Sequence, residues 1–115
     1  MKIIEMKLQA EPFRQIAEGT KTVEIRLNDE KRKTVKVGDV IRFTCLSDTE
    51  KKQETRVKAL YDFPNFSALF ASNLFDKCGC GDMSKTEAAE CMYKYYTKEE
   101  EKLYGVLAIE LSLIK

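Results

Sequence analysis

Lys21, Glu24 and Arg26 lie in one short stretch, GTKTVEIRLND, whose residue types suit the binding or activation of a polar ligand. Arginine forks onto a phosphate or carboxylate, while lysine supplies a point charge or, when its pKa is lowered, a base. Glutamate accepts hydrogen bonds from a base edge or an amide. The stretch therefore predicts either a ligand site or solvated surface ion pairs, which typically contribute less than about 1 kcal/mol each.

The spacing of these residues indicates that one β-strand positions them. Apolar and polar residues alternate from position 22 to position 27. Successive side chains of a strand point to opposite faces, so the apolar set enters a core while Thr22, Glu24 and Arg26 line the other face. Lys21 precedes the strand, and its long stem carries the ammonium toward the same side. The sequence predicts a cluster of two cations, a carboxylate and a hydroxyl.

Further cations and an aromatic side chain suit a phosphate-bearing ligand. The connection after the strand carries a basic set that could form a phosphate-attracting rim: Lys31, Arg32, Lys33 and Lys36. Further cations that could join this rim follow later in the chain: Lys51, Lys52, Arg56 and Lys58. Such runs are also typical of a solvated face. Tyr61 lies near Pro64, where we expect it to stack on a base, while Phe63 and Phe66 pack in the core.

Composition limits the classes of function. The net charge is +1 over 115 residues, so a role with nucleic acid depends on local patches. The chain has no histidine, and the spacing of Cys78 and Cys80 is tighter than in most zinc sites. We therefore predict no metal and no cofactor, and interpret that segment as a glycine-rich loop.

The N-terminal stretch does not resemble a signal peptide, because Glu5 and Lys7 interrupt its apolar residues. No apolar run in the sequence approaches the length of a membrane span. These features predict a cytoplasmic protein with reduced thiols and no membrane contact.

The order of elements predicts one α+β domain over residues 1–115. The predicted elements are a strand over 3–8, a helix from Glu11 to its cap at Gly19, the charged strand, strands near 41–45 and 54–61, helices after Pro64, and a closing strand over 105–113. A sheet with so few helices is expected to curl into a small barrel of about five to six strands flanked by helices.

Two local predictions concern surfaces. Residues 46–54 are rich in charge and are interpreted as a solvated loop. Ser84 and Glu87 form a capping box that begins a helix. The apolar stripe of that helix is predicted to pack in the core: Ala88, Cys91, Met92 and Tyr95.

The pattern G-x-K-x-x-E-x-R, formed by Gly19, Lys21, Glu24 and Arg26, precedes VGDVIRF and a terminal YGVLAIEL. In this order these segments resemble the ASCH family of the PUA-like superfamily over nearly the whole chain. The resemblance implies a β-barrel with a cleft beside the charged strand, where RNA or a nucleotide-like ligand binds.

The resemblance also implies enzyme activity in some members. Members that remove the acetyl group from acetylcytidine are described as using a lysine, a threonine nucleophile and a glutamate. Lys21 matches the lysine, but Glu24 stands where the nucleophile aligns, with Thr22 nearby as a substitute, and Asp82 lies near the place of the glutamate. Binding of RNA or a nucleotide-like ligand is the leading prediction, with an amidohydrolase as the alternative and a ribonuclease third.

Overall fold

The computed structural model describes residues 1–114, which contain five strands and four α-helices. In chain order these are β1 (Ile3–Leu8), α1 (Ala10–Glu18), β2 (Val23–Leu27), β3 (Val40–Cys45), β4 (Asp48–Phe63), α2 (Phe66–Ala71), α3 (Lys85–Met92), α4 (Lys98–Tyr104) and β5 (Val106–Leu113). Two single 3-10 turns lie at Arg32–Thr34 and Phe75–Lys77.

The strands form one curled sheet, a half-barrel, in the order β1-β3-β4-β5-β2. β1 runs parallel to β3, and the other neighbouring pairs are antiparallel. β1 and β2 are therefore the two edges of the sheet. The arrangement confirms the predicted α+β class and falls within the predicted number of strands.

Local signals account for the ends of the helices. Gly19 adopts a left-handed φ of 84°, and its N–H donates to carbonyls of the last turn of α1. Ser84 and Glu87 form the predicted capping box at the start of α3. Thr97 and Glu100 form a second one at the start of α4.

Two hydrophobic clusters pack on opposite sides of the sheet. On the first side, Phe13 and Ile16 of α1 pack against β-strand residues such as Phe43 and Ile109. On the second side, the apolar residues of β2 meet α2 and α3. The members of this second set include Val23, Ile25, Leu27, Phe66, Phe70 and Ala88. The predicted core role of the apolar β2 residues is confirmed.

The loop predicted over residues 46–54 is wrong for most of its length. β4 begins at Asp48 and runs as far as Phe63, pairing with β3 in a hairpin that turns at Leu46 and Ser47. Residues 48–52 are all exposed, so the strand has no buried face here. An alternation of apolar and polar residues, which is the usual strand signal, is absent for that reason.

The core assignment of the α3 stripe is only partly confirmed. Ala88 is buried, but α3 ends at Met92, and Tyr95 beyond it is 63% exposed. Cys91 and Met92 are partly exposed and face a cavity. The apolar stripe of α3 therefore packs against protein at its start and faces the open cavity at its end.

Candidate functional site

The register of β2 explains why its charged side chains are buried. Glu24 lies opposite Ile109 and Arg26 opposite Leu107 in the antiparallel pair with β5. Residues directly opposite one another share a face of the sheet. Glu24 and Arg26 therefore point to the same side as α1 and its hydrophobic cluster, rather than into solvent.

Lys21, Glu24 and Arg26 form one continuous ionic network. Arg26 Nε donates to Glu24 Oε2 at 2.9 Å, and Arg26 Nη2 lies 2.9 Å from the same oxygen. Lys21 Nζ lies 3.4 Å from Glu24 Oε1. The exposed fractions of these side chains are 7% for Lys21, 7% for Glu24 and 13% for Arg26. Because these charges are shielded from water, each depends on its partners.

Two further hydrogen bonds connect the network to the fold. Arg26 Nη2 donates to the carbonyl of Lys7 at 2.9 Å, which links the edge strands β2 and β1. Lys21 Nζ donates to the carbonyl of Cys78 at 2.7 Å. Among residues 1–114, Glu24 Oε1 accepts no hydrogen bond and has only the ion pair with Lys21 Nζ, so it can still accept from a ligand, and Lys21 can still donate to one.

These groups line a cavity of about 570 Å³. Its walls are the end of β1 with α1, the charged strand β2, the loop over residues 78–83, and the end of α3 with the residues that follow. Aromatic and apolar side chains contribute much of the lining, among them Phe70, Met92, Tyr95 and Tyr96. The cavity thus combines a charged floor with largely apolar walls.

The loop over residues 78–83 approaches the charged strand closely. A Cβ on Gly79 would lie 2.6 Å from Gln15 Oε1 and 3.1 Å from Lys21 Cβ. Gln15 Nε2 also donates to the carbonyl of Gly79 at 3.1 Å. The glycine-rich character of this loop, predicted from the sequence, permits the close approach that positions Lys21.

Two cysteines of this loop are shielded from water, Cys78 almost fully and Cys80 in part. Burial raises the pKa of the Cys78 thiol to about 12, against the opposing effect of the Lys21 charge. Burial also raises the pKa of the Cys80 thiol, again opposed by Lys21. Across the cavity, burial raises the pKa of Tyr96, while the positive charge of Arg26 lowers it in part. These thiols and the phenol are neutral at pH 7.

Three predicted site residues lie outside this cavity. Thr22 lines a separate depression beside β5. Asp82 is exposed, although its neighbours in the loop line the cavity. Tyr61 donates its hydroxyl hydrogen to Glu110 at 3.0 Å on β5, and does not reach the charged network. The structure brings together Lys21, Glu24 and Arg26 but not the other three.

The first four cations of the predicted basic rim lie around the 3-10 turn after β2, and the later four lie on β4. None of them lines the cavity. Arg32 is paired with Asp29 at 3.4 Å, and Lys33 with Glu30 at 3.8 Å. Lys31 and Lys36 are exposed. The positive charge of Arg32 lowers the pKa of Tyr96 in part, and Tyr96 lines the cavity, so Arg32 is the rim residue whose charge acts on the site.

Sequence reasoning missed two parts of the site. Gln15 gave no signal, because a polar residue on a partly exposed helix face is ordinary. The α3 stripe carried a signal that was assigned to the core. In the described part of the chain, no group of three or more metal-binding side chains is found. Residues 1–114 contain no helix long and apolar enough to cross a membrane.

Comparisons with known proteins found a matching family model and similar solved structures. The family model of the ASCH domain matches residues 6–115. A crystal structure of the hypothetical protein PH0355 is 35% identical, with a TM-score of 0.87, covering 99% of this chain and 100% of that one. The solution NMR structure of protein PF0455 from Pyrococcus furiosus is also 35% identical, with a TM-score of 0.79, and covers 100% of this chain and 99% of that one.

A more distant structure shares the fold. The crystal structure of ASCH from Zymomonas mobilis has a TM-score of 0.69 at 15% identity, covering 96% of this chain and 66% of that one. No curated protein matches the chain.

Proposed function

The chain belongs to the ASCH domain family, with its PUA-like half-barrel, and on this premise we propose that it binds RNA or a nucleotide-like ligand with a base inside the charged cavity. The observation that carries the proposal is the buried network of Lys21, Glu24 and Arg26 on the floor of that cavity. The proposal assigns ligand binding to these three residues and leaves Thr22, Asp82 and Tyr61 away from the ligand.

The size of the cavity suits a small planar ligand. Its volume of about 570 Å³ lies within the range of roughly 300–1,000 Å³ that is usual for small-molecule sites. A nucleobase has two apolar faces and a polar edge, and the cavity has apolar walls and a polar floor. Met92 and Tyr96 on the walls supply surfaces for the faces of the ring.

The charge of the floor favours a base edge over a phosphate. Glu24 Oε1 accepts an N–H from an amino or ring nitrogen, and Lys21 Nζ donates to a neighbouring carbonyl or ring nitrogen. A phosphate offers only acceptors, so in the same place it would give Glu24 Oε1 no donor and would put two anions in contact, whereas a base edge matches the acceptor and the donors together. The phosphate of a nucleotide is therefore expected to remain at the mouth of the cavity.

Titration of the full chain tests this proposal. The probes are the monophosphates of adenosine, cytidine, guanosine and uridine and a short single-stranded RNA, followed by calorimetry and NMR chemical shifts. We expect at least one probe to bind, and Glu24→Gln to weaken it by about tenfold or more, because the amide no longer balances the two cations.

A matched control comes from a similar ion pair elsewhere. Lys77 Nζ lies 3.2 Å from Glu110 Oε2, and neither residue lines the cavity. Glu110→Gln should leave affinity unchanged, and thermal melts of both variants establish that they fold. The proposal fails if no probe binds, or if folded Glu24→Gln binds as well as the wild type.

A hydrolytic function is the second candidate, favoured by the position of Lys21 Nζ 3.4 Å from a carboxylate inside a cavity. A lysine and a carboxylate in this arrangement can act together on a water molecule as a general base. The hydroxyl of Thr22 lies outside the cavity, so this mechanism uses water rather than a threonine nucleophile. Nothing in the geometry favours a ribonuclease.

Acetylcytidine is the substrate for this second test, with loss of the acetyl group followed by chromatography. Turnover that disappears in Lys21→Ala and in Glu24→Ala would establish an amidohydrolase. Absence of turnover at high enzyme concentration would reject this substrate and leave ligand binding as the function of the charged strand.

A further inference from the structure

The part of the cavity wall formed by the loop over residues 78–83 and the end of α3 carries sulfur-containing side chains that ligand recognition by the charged floor does not require. The side chains are Cys78, Cys80, Met83, Cys91 and Met92. Three of the four cysteines of the chain thus meet at one place, although they lie on a loop and on a helix.

Only two of these thiols are suited to react. Cys78 is 3% exposed, and its thiol donates to the carbonyl of Leu74 at 3.3 Å. A thiol so buried is expected to be inert. Cys80 and Cys91 are both partly exposed toward the cavity. Cys45 lies in the sheet core outside this wall.

Two hydrogen bonds place Cys80 and Cys91 near each other. The thiol of Cys91 donates to Met83 Sδ at 3.8 Å. The backbone N–H of Met83 in turn donates to the carbonyl of Cys80 at 3.2 Å, which closes a tight turn. Met83 is 42% exposed, and its unbranched side chain has several rotatable bonds, so it can move away from the Cys91 thiol.

We propose that Cys80 and Cys91 form a disulfide when the protein reacts with a peroxide, and that this bond closes the cavity between the loop over residues 78–83 and α3. One thiolate attacks hydrogen peroxide to give a sulfenic acid and hydroxide, which takes up a proton. The second thiol then displaces water to form the S–S bond. Overall, two thiols lose two electrons and two protons, and one peroxide becomes two molecules of water.

The bond would also disturb the charged floor. It ties the loop over residues 78–83 to the last turn of α3, and the same loop provides the carbonyl of Cys78 that accepts from Lys21. Drawing Cys80 toward α3 narrows the cavity and displaces this acceptor. The role of the disulfide in regulating ligand binding rests on the function proposed above. The formation of the disulfide does not depend on that function.

Peptide mapping by mass spectrometry after treatment with hydrogen peroxide tests the bond itself. We expect a peptide pair that joins Cys80 to Cys91, lost in Cys80→Ser and in Cys91→Ser but retained in Cys45→Ser. Because burial raises the pKa of Cys80, the bond should form faster as the pH increases. A link between Cys78 and Cys80, or oxidation without any link, would overturn the proposal.

The same four nucleoside monophosphates test closure. The oxidised protein should bind them about tenfold or more weakly, and reduction with dithiothreitol should restore the affinity. Equal affinity before and after oxidation would overturn closure while leaving the proposed function intact.

If the reduced protein binds none of the probes, the proposed function fails. Closure of the cavity is then measured by how fast a small reagent reaches the amine of Lys21. Reductive methylation of Lys21 by formaldehyde and cyanoborohydride should be severalfold slower in the oxidised protein. Equal rates would contradict closure of the cavity.

Discussion

At the scale of single residues, Gly79 is the point where the loop approaches the charged strand most closely. We expect Gly79→Ala to lower the free energy of unfolding by about 2 kcal/mol, because its φ of 75° is strained for alanine. The new Cβ would also press on Lys21 and Gln15. Urea unfolding followed by circular dichroism measures this loss.

Gly81 provides the matched control. It has a similar positive φ of 61°, but a Cβ there would meet nothing within 4 Å. Gly81→Ala should therefore show only the cost of the backbone conformation, and a smaller decrease in stability than Gly79→Ala. If the two variants were equally stable, packing against Lys21 would not constrain the loop.

At the scale of elements, Asp39 connects β1 to the turn before β3. Its carboxylate accepts from the backbone N–H of Lys2, from Lys2 Nζ at 2.8 Å and from the N–H of Lys36. These hydrogen bonds, led by the one from the Lys2 side chain, lower the pKa of Asp39 to about 2.

A lowered pKa in the folded state stabilises the protein at pH values above the ordinary pKa of an aspartate, and the contribution is lost as the pH falls toward 2. Asp39→Asn should lower the free energy of unfolding by roughly 1–2 kcal/mol at pH 7. This value is smaller than the full pKa shift would give, because the Lys2 side chain is half exposed and water weakens its interaction with Asp39. The difference from wild type should shrink between pH 4 and pH 2 in urea titrations. Asp76→Asn, at an exposed residue, is the control for removing a carboxylate that lacks these hydrogen bonds.

Elements defined by local chemistry could be predicted from the sequence, and features that depend on distant parts of the chain could not. The capping box at Ser84 and the alternation from Val23 to Leu27 are local signals, and both were confirmed. Burial of Glu24 depends on the curl of the sheet, which brings the carbonyl of Lys7 to Arg26. No short window of sequence contains that information.

The core assignment of the α3 stripe is only partly correct for the same reason. Helical spacing correctly identified one face, but spacing alone does not specify whether protein or open space lies opposite. Tyr95 was grouped with that face although the helix ends three residues earlier, at Met92. The cavity exists because α1, β2 and the loop over residues 78–83 meet there, and each comes from a different part of the chain.

At the scale of the whole molecule, the cavity and the basic rim are separate surfaces, and their contributions to binding should be separable. A base in the cavity is held mainly by short-range interactions, whereas rim cations act on the phosphates of a longer RNA. We therefore expect the affinity for a short single-stranded RNA to fall steeply with salt, and that for a nucleoside monophosphate to fall much less.

Charge reversal at Lys31 and Lys36 tests this separation, because both are exposed, with no ion pair among the described residues. The double variant should lower the slope of log affinity against log salt for RNA by about 1.4, or 0.7 for each phosphate that is no longer neutralised. Its affinity for a nucleoside monophosphate should not change. Lys51 and Lys58 belong to the later cations of the predicted rim and are exposed on β4. Their reversal should leave both the salt slope for RNA and the affinity for a nucleoside monophosphate unchanged. An equal decrease in the two double variants would mean that RNA responds only to net charge, and that residues 31–36 do not form a binding rim.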